Sequence, residues 1–547
     1  RRERMSAALY SDVIVHVYED RYVLEPLPLE EERCMRKPRC MVISRTVNYA
    51  SASSGPLLAT ELSHVDPEQP AQRVLHSFGL LGVLYLQAGA YLAVIAGREF
   101  IGSVRGQAVF RLTKAALLPF ASSTAHLSER QRRYESTYLS IIESLLGDKY
   151  FYFSYSFDLF NSMQKTLQLP EDVLLWPLHR RLNKQFFWNA HMLQPLDHAR
   201  MDKFMLPIMR GYVHIAMFLI DDLCFDFILI SRRSRHRAGT RYQTRGVDED
   251  GRVANKVETE QLLSIGDSWS SFVQTRGSIP LFWGQKTNLK YNPRTRITHS
   301  ADETLKAFSY HFQRELRAYT RQLIVNLLDR KGDELKLSQA FELYLERLNS
   351  AQIDYVYFDF HAQTKNGQFE NVSQLQDEVA DRVAAIGFTR TTNGVVETLQ
   401  CGAVRTNCLD CLDRTNLVQS TFARQSLMMQ LSSFGITKLD PDGLIDRSFK
   451  EAWANNGDAI SLQYAGTGAL KSDFTRTGKR KTKGVIKDGV NAISRYYINN
   501  FQDSLRQIAM DLLLGVSRVE SIDMAVMEQE EGKKEVVAEE VSFEFEA

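Results

Sequence analysis

The sequence predicts an α/β protein of two domains, a mixed-sheet N-terminal domain followed by an α/β domain that carries the chemistry. A chain of 547 residues with 44% apolar content is long enough for more than one core. Residues 10–100 read as short strands parted by turns, whereas farther on apolar strands alternate with amphipathic helical segments. Residues 401–416 (CGAVRTNCLDCLDRTN) run from an apolar strand through a polar loop into a helix, the layout of an α/β anion site. Trp176-Pro177, Asn183 and Pro195 punctuate the stretch between the two patterns. The expected domains are therefore 1–185 and 186–515, with a tail at 516–547 whose ten acidic and three basic residues predict disorder.

Each element has its own reason. Val13, Val15 and Val17 alternate with Ile14, His16 and Tyr18, the period of a strand. Residues 78–97 lack charge and approach membrane-spanning length, but four glycines and Gln87-Ala88-Gly89 divide them into a buried hairpin. Residues 130–146 place Tyr134, Tyr138, Ile141 and Leu145 on one helical face, and a strand of aromatics follows to Phe157. Apolar strands at 212–220 and 225–231 deliver six arginines, Arg232, Arg233, Arg235, Arg237, Arg241 and Arg245, with no acid among them. Glu258 and Glu260 are expected to be structural partners for arginines. A single amphipathic helix is expected over 302–328, a strand over 355–360 and a closing helix over 491–514. Asp359 and His361 are read as rim or core residues.

A net charge of +1 implies no general attraction to nucleic acid or membrane, yet it conceals opposed blocks. Residues 471–495 hold eight Lys/Arg against two Asp. A loop containing Lys471, Lys479, Arg480, Lys481, Lys483 and Lys487 suits an anionic bilayer, as does the arginine run, of which Arg232, Arg233, Arg235 and Arg237 are candidate contacts with substrate or membrane. Six irregularly spaced cysteines argue for a reducing compartment. Cys401, Cys408 and Cys411 raise the question of zinc, but no second ligand pair lies within reach, so no metal and no cofactor are expected.

The segment Cys408-x5-Arg414-Thr415 sits between strand and helix. A thiolate there is stabilised by loop N–H groups and by Arg414, whose guanidinium offers two donors to phosphoryl oxygens. Cys408 is the expected nucleophile, with Thr415 donating to its sulfur and Asn407 holding the loop through backbone contacts. Asn416, with Gln419 three residues on, is expected to cap the helix. The leaving oxygen needs a proton, for which Asp410 is the first candidate and Asp413 the alternative. Cys411 is expected to pack within the loop.

The string Arg405 to Asn416 (RTNCLDCLDRTN) resembles the signature of the Sac-domain phosphoinositide phosphatases. Residues 151–158, 184–191, 231–261, 273–284 and 466–480 resemble the same family, so the likeness covers about residues 10–515. It implies a two-domain Sac-type fold and metal-independent hydrolysis of phosphatidylinositol monophosphates through a phosphocysteine, with the 4-phosphate preferred and the 3-phosphate as second substrate. The branch it points to works at the cytosolic face of the endoplasmic reticulum and Golgi and carries a C-terminal anchor, which the acidic end of this sequence does not resemble. The implied partners are a phosphoinositide lipid and an anionic membrane surface, not nucleic acid. Two other readings are a catalytically weak phosphoinositide-binding module and a soluble inositol-phosphate or protein phosphatase.

Overall fold

The structure, a computed structural model, describes residues 9–27, 39–45, 59–62, 65, 69–199, 201–220, 223–285, 294–365, 371–437, 440, 443–470 and 503–522. The chain forms two compact units: Arg1–Phe160 with Leu169–Arg210 and Ser504–Ala547, and Asn161–Gln168 with Gly211–Asp503. The expected boundary at 185/186 thus falls inside a segment, 169–210, that packs with the first unit. Its aromatic residues supply the reason, since Phe186, Phe187 and Trp188 are buried there, Trp188 against Phe151.

In the first unit, β1 (Val13–Val17), β2 (Arg21–Pro26), β3 (Cys40–Ser44), β4 (Ala59–Leu62) and β5 (Arg73–Ser77) form an antiparallel sheet in the order β4-β3-β2-β1-β5. The alternation holds for the first four residues, with Val13 and Val15 buried and Ile14 and His16 not, but fails at the strand's end, where Val17 is half-buried and Tyr18 buried. β6 (Leu80–Leu86) and β7 (Gly89–Val104) make the predicted hairpin, with Leu86 opposite Gly89. β8 (Gln107–Pro119) and β9 (Phe151–Phe153) extend it. Helix α1 (Glu129–Leu146) starts with a capping box on Ser128 and Gln131. Its buried Glu135 accepts the Gln87 N–H at 3.0 Å and the Tyr91 hydroxyl, which pins the hairpin turn. Among the described residues no helix is long and apolar enough to cross a membrane.

The second unit is built on a mixed sheet. β10 (Met209–Ile220) enters it from Gly211, followed by β11 (Leu223–Arg233), β12 (Val257–Ile265) and β13 (Ser268–Arg276), all antiparallel. A small hairpin, β14 (Trp283–Gln285) with β15 (Thr295–Ile297), comes next. β16 (Gln322–Asn326) and β17 (Ile353–Tyr357) lie parallel at one edge. β18 (Thr389–Thr392) and β19 (Val395–Thr398) form a hairpin on β13, and β20 (Ala403–Asn407) inserts between β13 and β16, parallel to both. The C-terminal ends of β13, β20 and β16 therefore meet at one edge, where α/β sheets place their ligand sites.

Helices cover both faces of the parallel part. α2 (Ala301–Tyr319) and α3 (Gly332–Leu348) pack Phe308, Phe312, Leu337 and Phe341 on Ile324. α4 (Val372–Ile386) and α5 (Asp413–Ser433) pack Val379, Val383, Val418 and Phe422 on Leu323, Val325 and Val404. α6 (Leu444–Ala465) covers α5, with Phe449 and Trp453 against Ala423 and Leu427. The predicted helix over 302–328 is in fact α2 and then β16. Thr320, at φ +64°, ends the helix, and Leu323 and Val325 bury on the opposite face from Ile324, a period of two that the 3.6-residue reading absorbed. Of the expected helix over 491–514, Asp503–Leu514 is helical and 491–502 lies outside the described residues.

Candidate functional site

β20 ends at Asn407 and α5 begins at Asp413, so residues 408–412 form a loop at the sheet edge. α5 starts without a side-chain cap, and its first-turn N–H groups adjoin the loop. The expected cap, Asn416, lies inside the helix. Its amide donates to Trp453 O at 2.9 Å and accepts from Arg276 at 3.1 Å, because α5 is buried on both sides and its polar residues must bond to neighbouring elements.

Cys408 is buried at the start of the loop. Its Sγ accepts the Cys411 N–H at 3.0 Å and lies 3.4 Å from the donating Thr415 hydroxyl. Burial pushes the thiol up, but the Cys411 hydrogen bond, the Arg414 charge and Thr415 outweigh it and bring the pKa down to about 6. Cys411 turns the loop at φ +54° and donates its own thiol to Gly277 O at 3.0 Å. Burial and the neighbouring Cys408 push the Cys411 thiol up, so only one sulfur of the pair is readily ionised. Asn407 holds the loop by another route than expected. Its amide donates to the Asn326 side chain of β16 at 2.8 Å, and its backbone carbonyl accepts Leu327 N–H at 2.9 Å.

Arg414 projects from the first turn of α5. Its two terminal nitrogens form a fork on Glu334, each bond 3.0 Å, and one also reaches Leu327 O at 2.9 Å and Asp329 at 3.3 Å. Its charge is secured: although burial opposes it, Cys408, Glu334 and Asp329 together raise its pKa. Asp329 also accepts from His361 at 2.7 Å, while Asp359 accepts Ala362 N–H instead of pairing with His361. Glu334 and Asp329 escaped the sequence reading. Their signal was an acid-rich turn after an apolar pentapeptide, hidden once that pentapeptide was assigned to a helix.

Asp410 does not stand ready to give up a proton. Its carboxylate takes Arg241 at 3.0 and 2.7 Å and Arg245 at 2.7 Å. Burial would raise its pKa, but the two guanidiniums hold it well below the ordinary carboxylate range. In this loop arrangement Asp410 is a structural anion. Asp413 accepts Leu470 N–H at 2.6 Å.

The arginine run divides. Arg232 and Arg233 are not surface charges. Arg232 is wholly buried between Glu258 at 3.2 Å and Glu260 at 2.6 Å, while Arg233 donates to the Gln463 and Gly239 carbonyls. They end β11, whose partner strand presents the acids directly opposite: Glu258 faces Arg232 and Glu260 faces Ile230. Arg237 donates to Arg245 O and Gly246 O. Arg235 is partly exposed, the member of the four contact candidates without a hydrogen-bond or ion-pair partner among the described residues. Lys471, Lys479, Arg480, Lys481, Lys483 and Lys487 lie outside the described residues. In the first unit, His179, Asp197 and Asp202 bring possible metal ligands within 4.8 Å of one another, but Arg180 already bridges the two carboxylates at 3.1 and 2.8 Å.

Residues 78–365 match the SacI homology domain family. The chain is 39% identical over 452 residues to phosphatidylinositol-3-phosphatase SAC1-B of Danio rerio, covering 82% of this chain and 77% of that protein. The chain belongs to the SacI homology domain family. It is also 36% identical to phosphatidylinositol-3-phosphatase SAC1 of Drosophila melanogaster, over 94% of this chain and 84% of that one. Phosphoinositide phosphatase SAC6 of Arabidopsis thaliana is 35% identical over 96% of this chain and 88% of its own length. Within the family match lie Arg241, Arg245, Arg276, Asp329 and Glu334, the residues that surround the Cys408 loop. The loop itself follows the matched range.

Proposed function

We propose that this protein hydrolyses the phosphomonoester of phosphatidylinositol monophosphates, using Cys408 as nucleophile. The observation that carries the reading is the Cys408 sulfur, bonded by the Cys411 N–H at 3.0 Å beside an uncapped helix N-terminus, with a pKa near 6. The thiolate attacks phosphorus, the bond from phosphorus to the inositol oxygen breaks, and a phosphocysteine forms. Water then attacks that phosphorus, giving its proton back to the group that protonated the leaving oxygen, and the phosphorus–sulfur bond breaks to release inorganic phosphate and the thiolate. Arg414, loop N–H groups and the α5 terminus bear the charge of the equatorial oxygens.

The leaving oxygen takes a proton, and Asp410, which Arg241 and Arg245 hold ionised, can supply it only after leaving both guanidiniums and taking up a proton from solvent. A bound phosphate dianion competes for the same guanidiniums, so substrate entry itself favours that exchange. The names of the SAC1 relatives support the 3-phosphate as a substrate. Preference for the 4-phosphate, and work at the cytosolic face of endoplasmic reticulum or Golgi membranes, follow from the sequence resemblance.

The test is Cys408→Ser, assayed with short-chain phosphatidylinositol 3- and 4-phosphates, free inositol phosphate and a phosphopeptide. Turnover of the lipids by the wild type and its loss in the variant, with headgroup binding kept, is the expected result. Steady-state turnover by the variant would overturn the assignment of the nucleophile. A wild type that prefers the phosphopeptide or the free headgroup would overturn the substrate class.

A further inference from the structure

β13 ends at Arg276, beside Thr406 of β20, two residues before Cys408, and its side chain is fully buried. One terminal nitrogen donates to Asn416 Oδ1 at 3.1 Å. The other terminal nitrogen and Nε are buried without a hydrogen-bond partner, and no carboxylate among the described residues pairs with the group. Its chain neighbour, Gly277, accepts the Cys411 thiol at 3.0 Å. A buried guanidinium without an anion is costly in a dry interior. Arg232, buried just as deeply, sits between two glutamates, whereas Arg276 has two nitrogens with no hydrogen-bond partner among the described residues.

We propose that Arg276 is a positioning residue, its buried guanidinium serving as counter-cation to the Cys408 thiolate and drawing the loop's sulfur into its reactive form. The proposal rests on the reading of Cys408 as nucleophile. Burial draws the Arg276 pKa down to about 10, and the charges that oppose this are those of Cys411 and Cys408. The charged and titratable groups around the two loop sulfurs come from every adjoining element: Arg414 from α5 and Asp410 and Cys411 from the loop act on Cys408, Arg405 from β20 acts on Cys411, and Arg276 from β13 faces Cys411 and Cys408. Arg414 is shared with Glu334 and Asp329, and Arg405 donates to Asn407 and to Ser278 O. Among the described residues Arg276 is tied only to Asn416 through one nitrogen, and its other two are uncommitted.

The experiment measures alkylation of Cys408 by iodoacetamide against pH, resolved to the peptide by mass spectrometry, in the wild type, Arg276→Gln and Arg276→Lys. Gln keeps a donor for Asn416 but no charge, whereas Lys keeps the charge but not the fork. Arg276→Gln should raise the midpoint by about one pH unit, slowing alkylation about fivefold near pH 6 and hardly at all near pH 9. Arg276→Lys should stay within about half a unit of wild type. Equal shifts in both variants, or none in Arg276→Gln, would overturn the proposal. Should Arg276→Gln fail to fold, Arg276→Met takes its place, and a wild-type midpoint at or above the free-thiol value of about 8.5 overturns it without any variant. Alkylation needs no substrate, so this outcome is independent of turnover. A midpoint that depends on Arg276 in a protein without lipid phosphatase activity would sink the functional reading alone.

Discussion

Arg414→Lys separates what the guanidinium does as a fork from what it does as a charge. Arg414 now makes two parallel bonds to Glu334, each 3.0 Å, and a third to Leu327 O. A lysine ammonium can keep one of the Glu334 bonds and cannot hold a planar face toward a trigonal phosphoryl group. Each charge-assisted hydrogen bond is worth about 1.5–3 kcal/mol, and losing one in the transition state corresponds to roughly 10- to 100-fold in rate at 1.36 kcal/mol per decade. Losing the orientation of the remaining donors adds to this, so kcat/KM on short-chain phosphatidylinositol 4-phosphate should fall at least about 10²-fold. The positive charge stays, so the alkylation midpoint of Cys408 should move by less than about half a pH unit. The combination is the diagnostic. A loss below threefold would show that this side chain does not hold the transferring phosphoryl group. A large loss accompanied by an equally large rise of the thiol midpoint would show that its work is to ionise Cys408.

Cys408 titrates low, so kcat/KM should climb as pH rises through about 6, and the limb should disappear from alkylation-rate profiles when Cys408 is replaced by Ser. The same depression implies a stability contribution that is complete above the thiol's unfolded value and is lost as pH falls toward 6, which urea midpoints at pH 9 and pH 6 would register. Asp410→Asn should slow hydrolysis of inositol phosphomonoesters much more than that of an activated aryl phosphate, and equal losses would remove Asp410 from the role of leaving-group acid. Arg232→Ala leaves the buried Glu260 without its cation and should cost about 3–5 kcal/mol in urea unfolding; a loss under about 1 kcal/mol would mean that this buried ion pair does little to hold β11 on β12.

What the sequence showed of the fold depended on where one period stood alone. The hairpin within 78–97 was legible because glycines and a charge-free run left no helical alternative, and the strand at 13–17 because its valines recur every second residue. β16 was not, because QLIVN follows an amphipathic helix without proline or glycine, and its apolar residues fit both periods. The misplaced helix then hid the turn that carries Asp329 and Glu334. Loops, caps and partners beyond a strand's own neighbours are set by tertiary packing, which a spacing rule cannot see. Asn416 has the residue type and position of a cap, yet it is buried to bridge Arg276 and Trp453.

The arginine run shows how composition misleads about location. Six arginines without a nearby acid read as a surface seeking anions, because sequence distance stood in for spatial distance. Across the sheet, however, β12 brings Glu258 and Glu260 to Arg232, and the loop brings Asp410 to Arg241 and Arg245. The run is therefore graded along its length. Its first residues are neutralised within the core and fix β11 on β12. Its last two clamp an aspartate two residues from the proposed nucleophile. An anion that reaches the Cys408 loop meets arginines already bound to a carboxylate it can displace, so the same positive charge that holds the loop together in its present form is available to hold a phosphate in its place. Under the function proposed above, binding there would be an exchange of one anion for another, which costs the site far less than gathering uncompensated arginines would.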